Sequence, residues 1–267
     1  MKQLNVKTSG SGEALLVLHG WGMNSSVWEP VKAALEARFT VSWIDLPGHG
    51  INRHIEADSL DEIVDLLMAA VSKISKINKE PGVKTHLLGW SLGGLIAQAM
   101  VRYEAQKFHS LTLVASTPRF SQDTDWHHAM SHEVLDQFSA NLQEDFAGTI
   151  RRFIGLQFMG IKNSKDLQRS LVKKILQNLP DYSALVLGLK LLKNCDYRDN
   201  VNVVPQHWIL GGRDRLVPVA VKDELQQRRP DDPLSIINNA GHAPFMTHPQ
   251  EFMKSVIPFI ESHSEPQ

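Results

Sequence analysis

The sequence carries one cysteine, Cys195, in 267 residues, so no internal disulfide can form. No activating motif surrounds that thiol, which argues against a cysteine nucleophile and fits a reducing, cytoplasmic setting. Charge bias is also missing. The formal net charge of −1 gives no global reason to expect nucleic acid or a membrane surface as partner. No apolar run is long enough to span a bilayer. The first residues, Met1 to Gly12, mix Lys2, Lys7 and polar residues without a continuous apolar stretch, so they do not read as a signal peptide. Internal repeats and low-complexity segments are lacking too, and only Ser262 to Gln267 reads as a disordered tail.

What is present is an alternation of short buried runs and amphipathic stretches. Ala14 to Leu18, Phe39 to Ile44, Thr85 to Leu88, Leu111 to Ala115, His207 to Leu210 and Leu234 to Ile237 read as strands. Helices are expected from Val27 to Ala37, from Leu60 onward with Ser59 as N-cap, over Leu92 to Tyr103, near Val219 to Arg228 and over Pro249 to Ile260. Strand and helix in alternation predict an α/β fold with a mostly parallel sheet covered on both faces. Between about Pro118 and Asn194 the alternation stops, and helical periodicity (Val134, Leu135, Phe138, Leu142; Leu171, Val172, Ile175, Leu176, Leu179) takes its place. The expected organisation is a core over residues 1–117, an inserted helical cap over 118–194, and the rest of the core over 195–267.

The chemistry centres on Gly89-Trp90-Ser91-Leu92-Gly93, between a strand and a helix. A G-x-S-x-G turn in that context is a nucleophile elbow, and it predicts an α/β-hydrolase fold with Ser91 as nucleophile. Serine needs a base, and the base needs an orienting acid, both after the serine in chain order. Asp214, in the loop after the strand His207 to Leu210, is the expected acid; Asp196 and Asp199 precede that strand and Asp223 falls in a helix. His242, in the loop after the last strand, is the expected base, whereas His248 precedes a helix-starting proline and His207 opens a strand. Oxyanion donors are assigned to the Leu92 N–H, directly after the nucleophile, and to the Trp21 N–H in His19-Gly20-Trp21-Gly22. The Trp21 side chain is expected to line the acyl pocket, and His19 to buttress its loop. His127, His128 and His132 lack a carboxylate motif, so no metal is expected.

Together with Asp45-Leu46-Pro47-Gly48-His49-Gly50, Gly241-His242-Ala243-Pro244-Phe245 and the segments Arg152-Phe153, Leu156-Gln157 and Met159-Gly160, these motifs resemble the pimeloyl-[acyl-carrier protein] methyl ester carboxylesterase family of biotin biosynthesis. The resemblance runs over nearly the whole chain. It implies hydrolysis of a carrier-bound pimeloyl methyl ester to methanol and a free carboxylate, without a cofactor. The acyl chain would lie between Trp21, Leu92 and the cap, with Phe153 facing it. Acyl carrier protein, an acidic partner, would need a basic dock. Charged residues between Phe120 and Ile150 are all acidic, whereas Arg151, Arg152, Lys162, Lys165, Arg169, Lys173 and Lys174 follow against Asp166 alone. Arg151, Arg152, Lys165 and Arg169 are the expected carrier contacts. Lys165 and Gly148 depart from the arginines of the family pattern, and lysine keeps the charge without the bidentate fork. A monomer is expected. The alternatives are a broad short-chain carboxylesterase or C–C bond hydrolase on the same scaffold, and a ligand-binding receptor.

Overall fold

The computed structural model describes residues 2–77, 84–199 and 204–264. Strands β1 (Val6–Ser9), β2 (Glu13–Leu18), β3 (Phe39–Ile44), β4 (Thr85–Trp90), β5 (Phe108–Val114), β6 (Gln206–Gly211) and β7 (Leu234–Ile237) form one sheet in the order β1-β3-β2-β4-β5-β6-β7. β1 runs antiparallel to β3 and the other pairings are parallel. The core helices are α1 (Glu29–Glu36), α2 (Leu60–Ile77), α3 (Leu92–Glu104), α8 (Val221–Arg228), α9 (Pro244–Thr247) and α10 (Pro249–Ser262). Four more, α4 (His132–Glu144), α5 (Phe146–Gln157), α6 (Lys165–Gln177) and α7 (Tyr182–Asn194), lie between β5 and β6 in the chain.

Register decides where the chemistry can sit. Leu18 pairs with Gly89, Gly89 with Leu113, Val114 with Ile209 and Gly211 with Ile237, so the strand ends are nearly level. The loops after β2, β4, β5, β6 and β7 therefore leave from one edge. In parallel sheets the crevice at the carboxyl ends of the strands is where ligands bind. The central strands read as continuous apolar runs because both their faces are covered: Leu15, Leu16, Val17, Leu18, Leu87 and Leu88 are all fully buried.

The six expected strands are present, with ends shifted by up to three residues, and Ser59 does cap α2, its hydroxyl accepting the Glu62 N–H at 3.2 Å. Four differences have physical causes. β1 carries no signal in the sequence, because Val6-Lys7-Thr8-Ser9 is a half-exposed edge strand without an apolar run. Residues 118–131 are not helical; they form a turn with bridges Ser121–Met130 and Asp123–Trp126, around a fully buried Trp126. α5 and α7 start at aspartate caps, Asp145 accepting from the Gly148 N–H and Asp181 from the Ser183 N–H, which break one helical region into separate rods. The tail expected to be disordered from Ser262 is structured at its start, where Ser262 ends α10 and the Ser264 hydroxyl bonds the Ile260 carbonyl; the rest of that expectation, residues 265–267, lies outside the described residues.

An ion cluster ties the start of the segment between β5 and β6 to its end. Arg198 is only 10% exposed and bonds Asp123 at 2.9 Å, Asp196 at 2.7 Å and also Asp125. Arg119 reaches Asp123 at 3.0 Å and Asp196 at 2.7 Å. Burial opposes ionisation of Asp196, yet the bonds from Arg198 and Arg119 hold its carboxyl well below the usual range. From α8, Arg228 pairs with Asp125, and Glu224 accepts the His127 N–H at 2.7 Å.

His207 has the structural role expected of it. It is buried on β6, meets the Ser235 hydroxyl at 2.8 Å and packs on Phe259, and burial pushes its pKa down to about 4. A histidine held neutral in the fold contributes its full stability above the ordinary value of 6.5 and loses it as pH falls from there towards about 4. Unfolding free energy should drop across this window by up to ~1.4 kcal/mol per pH unit from this residue. In urea titrations at a series of pH values, His207→Gln should show a shallower acid slope; identical slopes would refute the assignment.

Candidate active site

Ser91 sits where β4 hands over to α3, with φ 54° and ψ −121°. Positive φ at a non-glycine residue is strained, and this strain turns the hydroxyl out of the strand direction. The turn can close only against bare backbone. A Cβ at Gly93 would lie 2.5 Å from the His19 carbonyl oxygen, so glycine there lets the elbow and the loop after β2 touch. The Ser91 N–H bonds the Val114 carbonyl at 2.9 Å, which anchors the elbow to β5.

The elbow, the loop after β6 and the loop after β7 bring Ser91, Asp214 and His242 together. His242 Nε2 lies 2.9 Å from Ser91 Oγ, and His242 Nδ1 lies 2.8 Å from Asp214 Oδ2. A carboxylate can only accept, so Nδ1 carries the proton and Nε2 is left to accept from the serine hydroxyl. The other carboxylate oxygen, Asp214 Oδ1, accepts the Leu216 N–H at 2.8 Å and the Val217 N–H at 3.1 Å, which fixes the acid's plane. All three residues are buried. The competing acids are engaged elsewhere: Asp196 in the ion cluster, Asp199 with Arg228 at 3.5 Å, and Asp223 within α8.

Trp90 supplies a link that the motif alone did not signal. Its indole N–H donates to the His242 carbonyl at 2.7 Å, tying the loop of His242 to the strand that leads into Ser91. Its ring packs edge-on against Phe245 at 5.1 Å, and Phe245 stacks on Trp28 at 4.0 Å. His242 is therefore held by an aromatic cluster as well as by Asp214.

The expected oxyanion donors occupy suitable ground. Leu92 is the first residue of α3, where an N–H has no partner within the helix and the positive end of the helix dipole adds to it. Trp21 lies in the loop that Gly93 admits to the elbow. His19 buttresses that loop as expected: its Nε2 accepts the Leu46 N–H at 2.9 Å, and its Nδ1–H donates to the Gly20 carbonyl at 2.9 Å. Burial lowers the His19 pKa against the opposing pull of Asp45, and takes neighbouring His49 to about 3. Both rings act as neutral wedges.

Trp21 and Leu92, either side of the elbow's contact with the loop after β2, meet an apolar face of the helices between β5 and β6. The Trp21 ring meets Phe153 of α5 edge-on at 4.8 Å and Phe138 of α4 at 6.5 Å, and its indole N–H donates to the Leu185 carbonyl of α7 at 2.9 Å. Gly188 of α7 lies directly on Trp21 and Leu92. One turn beyond Phe153, Gln157 is 1% exposed, its side-chain oxygen and nitrogen have no partner, and its carbonyl packs against Gly241 beside His242. Reading the sequence did not single out Gln157 as a polar group; only its burial reveals it.

The four cationic residues expected to meet a partner stand apart from this centre. Arg151, Arg152, Lys165 and Arg169 are exposed on α5 and α6. Arg152 lies 3.4 Å from Asp145 and Arg169 lies 3.2 Å from Asp166. Among the described residues no group of three or more histidine, cysteine or acidic side chains is arranged to hold a metal, and His128 Nδ1 instead pairs with Glu224 at 3.2 Å. Burial raises the Cys195 pKa, which makes its thiol a poor nucleophile. No described helix is long and apolar enough to cross a membrane.

Comparison with known proteins agrees with this geometry. The profile of the alpha/beta hydrolase family matches residues 15–254. The pimeloyl-[acyl-carrier protein] methyl ester esterase of Photobacterium profundum is 36% identical over 96% of this chain and 97% of its own length. Its namesake from Nitrosomonas europaea is 36% identical over 95% and 98%. An esterase from Exiguobacterium antarcticum superposes with a TM-score of 0.83 over 97% of this chain and 95% of its own, at 19% identity, a likeness of fold alone. Level strand ends, a strained serine elbow and near-full-length relatives thus converge: the chain belongs to the alpha/beta hydrolase family and, within it, to the pimeloyl-[acyl-carrier protein] methyl ester esterases.

Proposed function

We propose that this protein is a serine carboxylesterase that hydrolyses the methyl ester of pimeloyl-[acyl-carrier protein], releasing methanol and the free pimeloyl carboxylate. The observation that carries the proposal is the Ser91–His242–Asp214 relay, closed under an aromatic roof, in a chain whose near-full-length relatives bear that name. Ser91 Oγ attacks the ester carbonyl while His242 Nε2 takes its proton. The Leu92 and Trp21 N–H groups receive the oxyanion, each contributing on the order of 3 kcal/mol to the transition state. His242 then protonates the departing methoxide, and methanol leaves an acyl-enzyme on Ser91. Water, activated by the same imidazole, releases the carboxylate. Asp214 keeps the ring in its tautomer and supports the imidazolium.

Residues 118–194 act as a cap in this reading. Trp21, Leu92 and Phe153 line the channel for the pimeloyl chain, and Gln157 offers an amide to a polar end of the substrate. Acyl carrier protein docks on Arg151, Arg152, Lys165 and Arg169. The ion pairs of Arg152 and Arg169 with Asp145 and Asp166 are exposed, and such pairs are weak enough to exchange for carboxylates of an acidic partner. Location in the cytoplasm and a monomeric state belong to the same reading.

Three measurements test it. Ser91→Ala should lose at least about 10³-fold in p-nitrophenyl ester hydrolysis with an unchanged circular dichroism spectrum; retained turnover would remove Ser91 from the mechanism. Offered carrier-bound pimeloyl methyl ester beside short free esters, the enzyme should have the higher kcat/KM on the carrier substrate. The opposite ranking would favour a broad short-chain esterase. Reversing charge at Arg152 and Arg169 should raise KM for the carrier substrate about 10-fold, as expected for loss of roughly 1.4 kcal/mol of binding, and leave free-ester turnover alone; equal losses on both substrates would place the effect in the fold.

A further inference from the structure

The Ser91 carbonyl oxygen accepts three hydrogen bonds. Two belong to the first turn of α3, from the Gly94 N–H at 2.9 Å and the Leu95 N–H at 3.1 Å. The third comes from outside the helix: the Ser116 hydroxyl donates to the same oxygen at 3.0 Å. Ser116 is fully buried. It reaches the elbow because Ala115, the residue after β5, takes φ 42°, a left-handed conformation that alanine rarely adopts. That strained residue is itself held by β6, its N–H donating to the Ile209 carbonyl at 2.8 Å. The chain around Ala115 therefore holds Ser91 from both ends, Val114 receiving its N–H and Ser116 bonding its carbonyl.

That carbonyl shares its peptide group with the Leu92 N–H. A peptide unit is planar, so whatever fixes the direction of C=O fixes the direction of N–H at the other end. Donors on the oxygen also draw electron density through the amide and make its N–H a stronger donor, the cooperative effect of linked hydrogen bonds. We propose that Ser116 is a positioning residue for the oxyanion hole: its hydroxyl orients and polarises the Ser91–Leu92 peptide so that the Leu92 N–H meets the developing oxyanion. The inference rests on the reading of Ser91 as nucleophile and of the Leu92 N–H as oxyanion donor. Ser116 touches no reacting atom. Its effect is confined to the charge that appears on the substrate oxygen.

The test compares Ser116→Ala with the unaltered enzyme. The substitution removes one donor and leaves the two from α3. With a p-nitrophenyl ester, kcat should fall roughly 3- to 10-fold with KM nearly unchanged, the range expected for one hydrogen bond. Affinity for an alkyl trifluoromethyl ketone should fall by the same factor. In that adduct Ser91 Oγ bonds to the ketone carbon, the hydroxyl proton passes to His242 Nε2, and the former carbonyl oxygen becomes the oxyanion. The acid limb of the pH profile of kcat/KM should stay in place, because the His242–Asp214 couple is untouched. Ser116→Cys, of similar size but a weaker donor, should fall between the two, and it carries the comparison if the alanine variant does not fold. Unchanged ketone affinity, or a displaced acid limb, would overturn the proposal. Ser91→Ala is assayed alongside: activity persisting there would strike the nucleophile reading itself, whereas its loss together with unaltered ketone affinity in Ser116→Ala would strike the role of Ser116 alone.

Discussion

The strained backbone of Ser91 is the constraint on which the rest of the site depends. A residue with φ 54° at the end of a central strand costs free energy of order 1–3 kcal/mol and persists only where its surroundings over-determine it. Those surroundings are visible on every side. β5 takes the serine N–H, Ser116 and α3 take its carbonyl, and the loop after β2 presses its backbone against Gly93. The strain is thereby converted into position, with Oγ presented to His242 rather than folded back along the strand.

The second organising element is aromatic. Trp90 couples β4 to the loop of His242 through one hydrogen bond and a ring contact with Phe245, and Trp28 and Phe252 extend that packing into α10. Trp21 performs the corresponding task for the helices between β5 and β6, meeting α4, α5 and α7 at once. One set of rings holds the His242 loop against β4, and the other packs the helices between β5 and β6 against the loop after β2. Trp21 and Phe153 are buried among apolar neighbours, and Gln157, one turn along α5, is the polar exception there, with neither side-chain atom partnered.

Much of this was legible in the sequence because each feature leaves a local mark. Strands buried on both faces are apolar runs, and an elbow needs glycines at fixed offsets from its serine. Chain order then selected Asp214 and His242, since loops at the ends of β6 and β7 must open on the same edge as Ser91. Features that depend on long-range approach left no such mark. The edge strand β1 is defined by its pairing with β3 rather than by its residues. The bonds from Trp90 to His242 and from Ser116 to Ser91 join positions 152 and 25 residues apart. Nothing local distinguishes them. The stretch 118–131 shares the strand-free character of the helical segments after it, so its sequence predicts helix, whereas its Asp123 and Asp125 are held by the distant Arg198.

The cluster around Arg198 has a topological consequence. One nearly buried guanidinium binds Asp123 and Asp125, where the chain departs from β5, and Asp196, where it returns towards β6. The two strands of the crossover are stapled together at its base, so β5 and β6 are joined in effect by a short bridge, whatever is built beyond it. Because the cost of a longer closed loop grows only with the logarithm of its length, about 0.6 kcal/mol per doubling, the excursion beyond the staple can be lengthened or rebuilt with little penalty to the sheet. The staple thus separates two tasks within one chain, a sheet edge whose loops must keep their register and a helical excursion whose length and packing are free to vary without disturbing it.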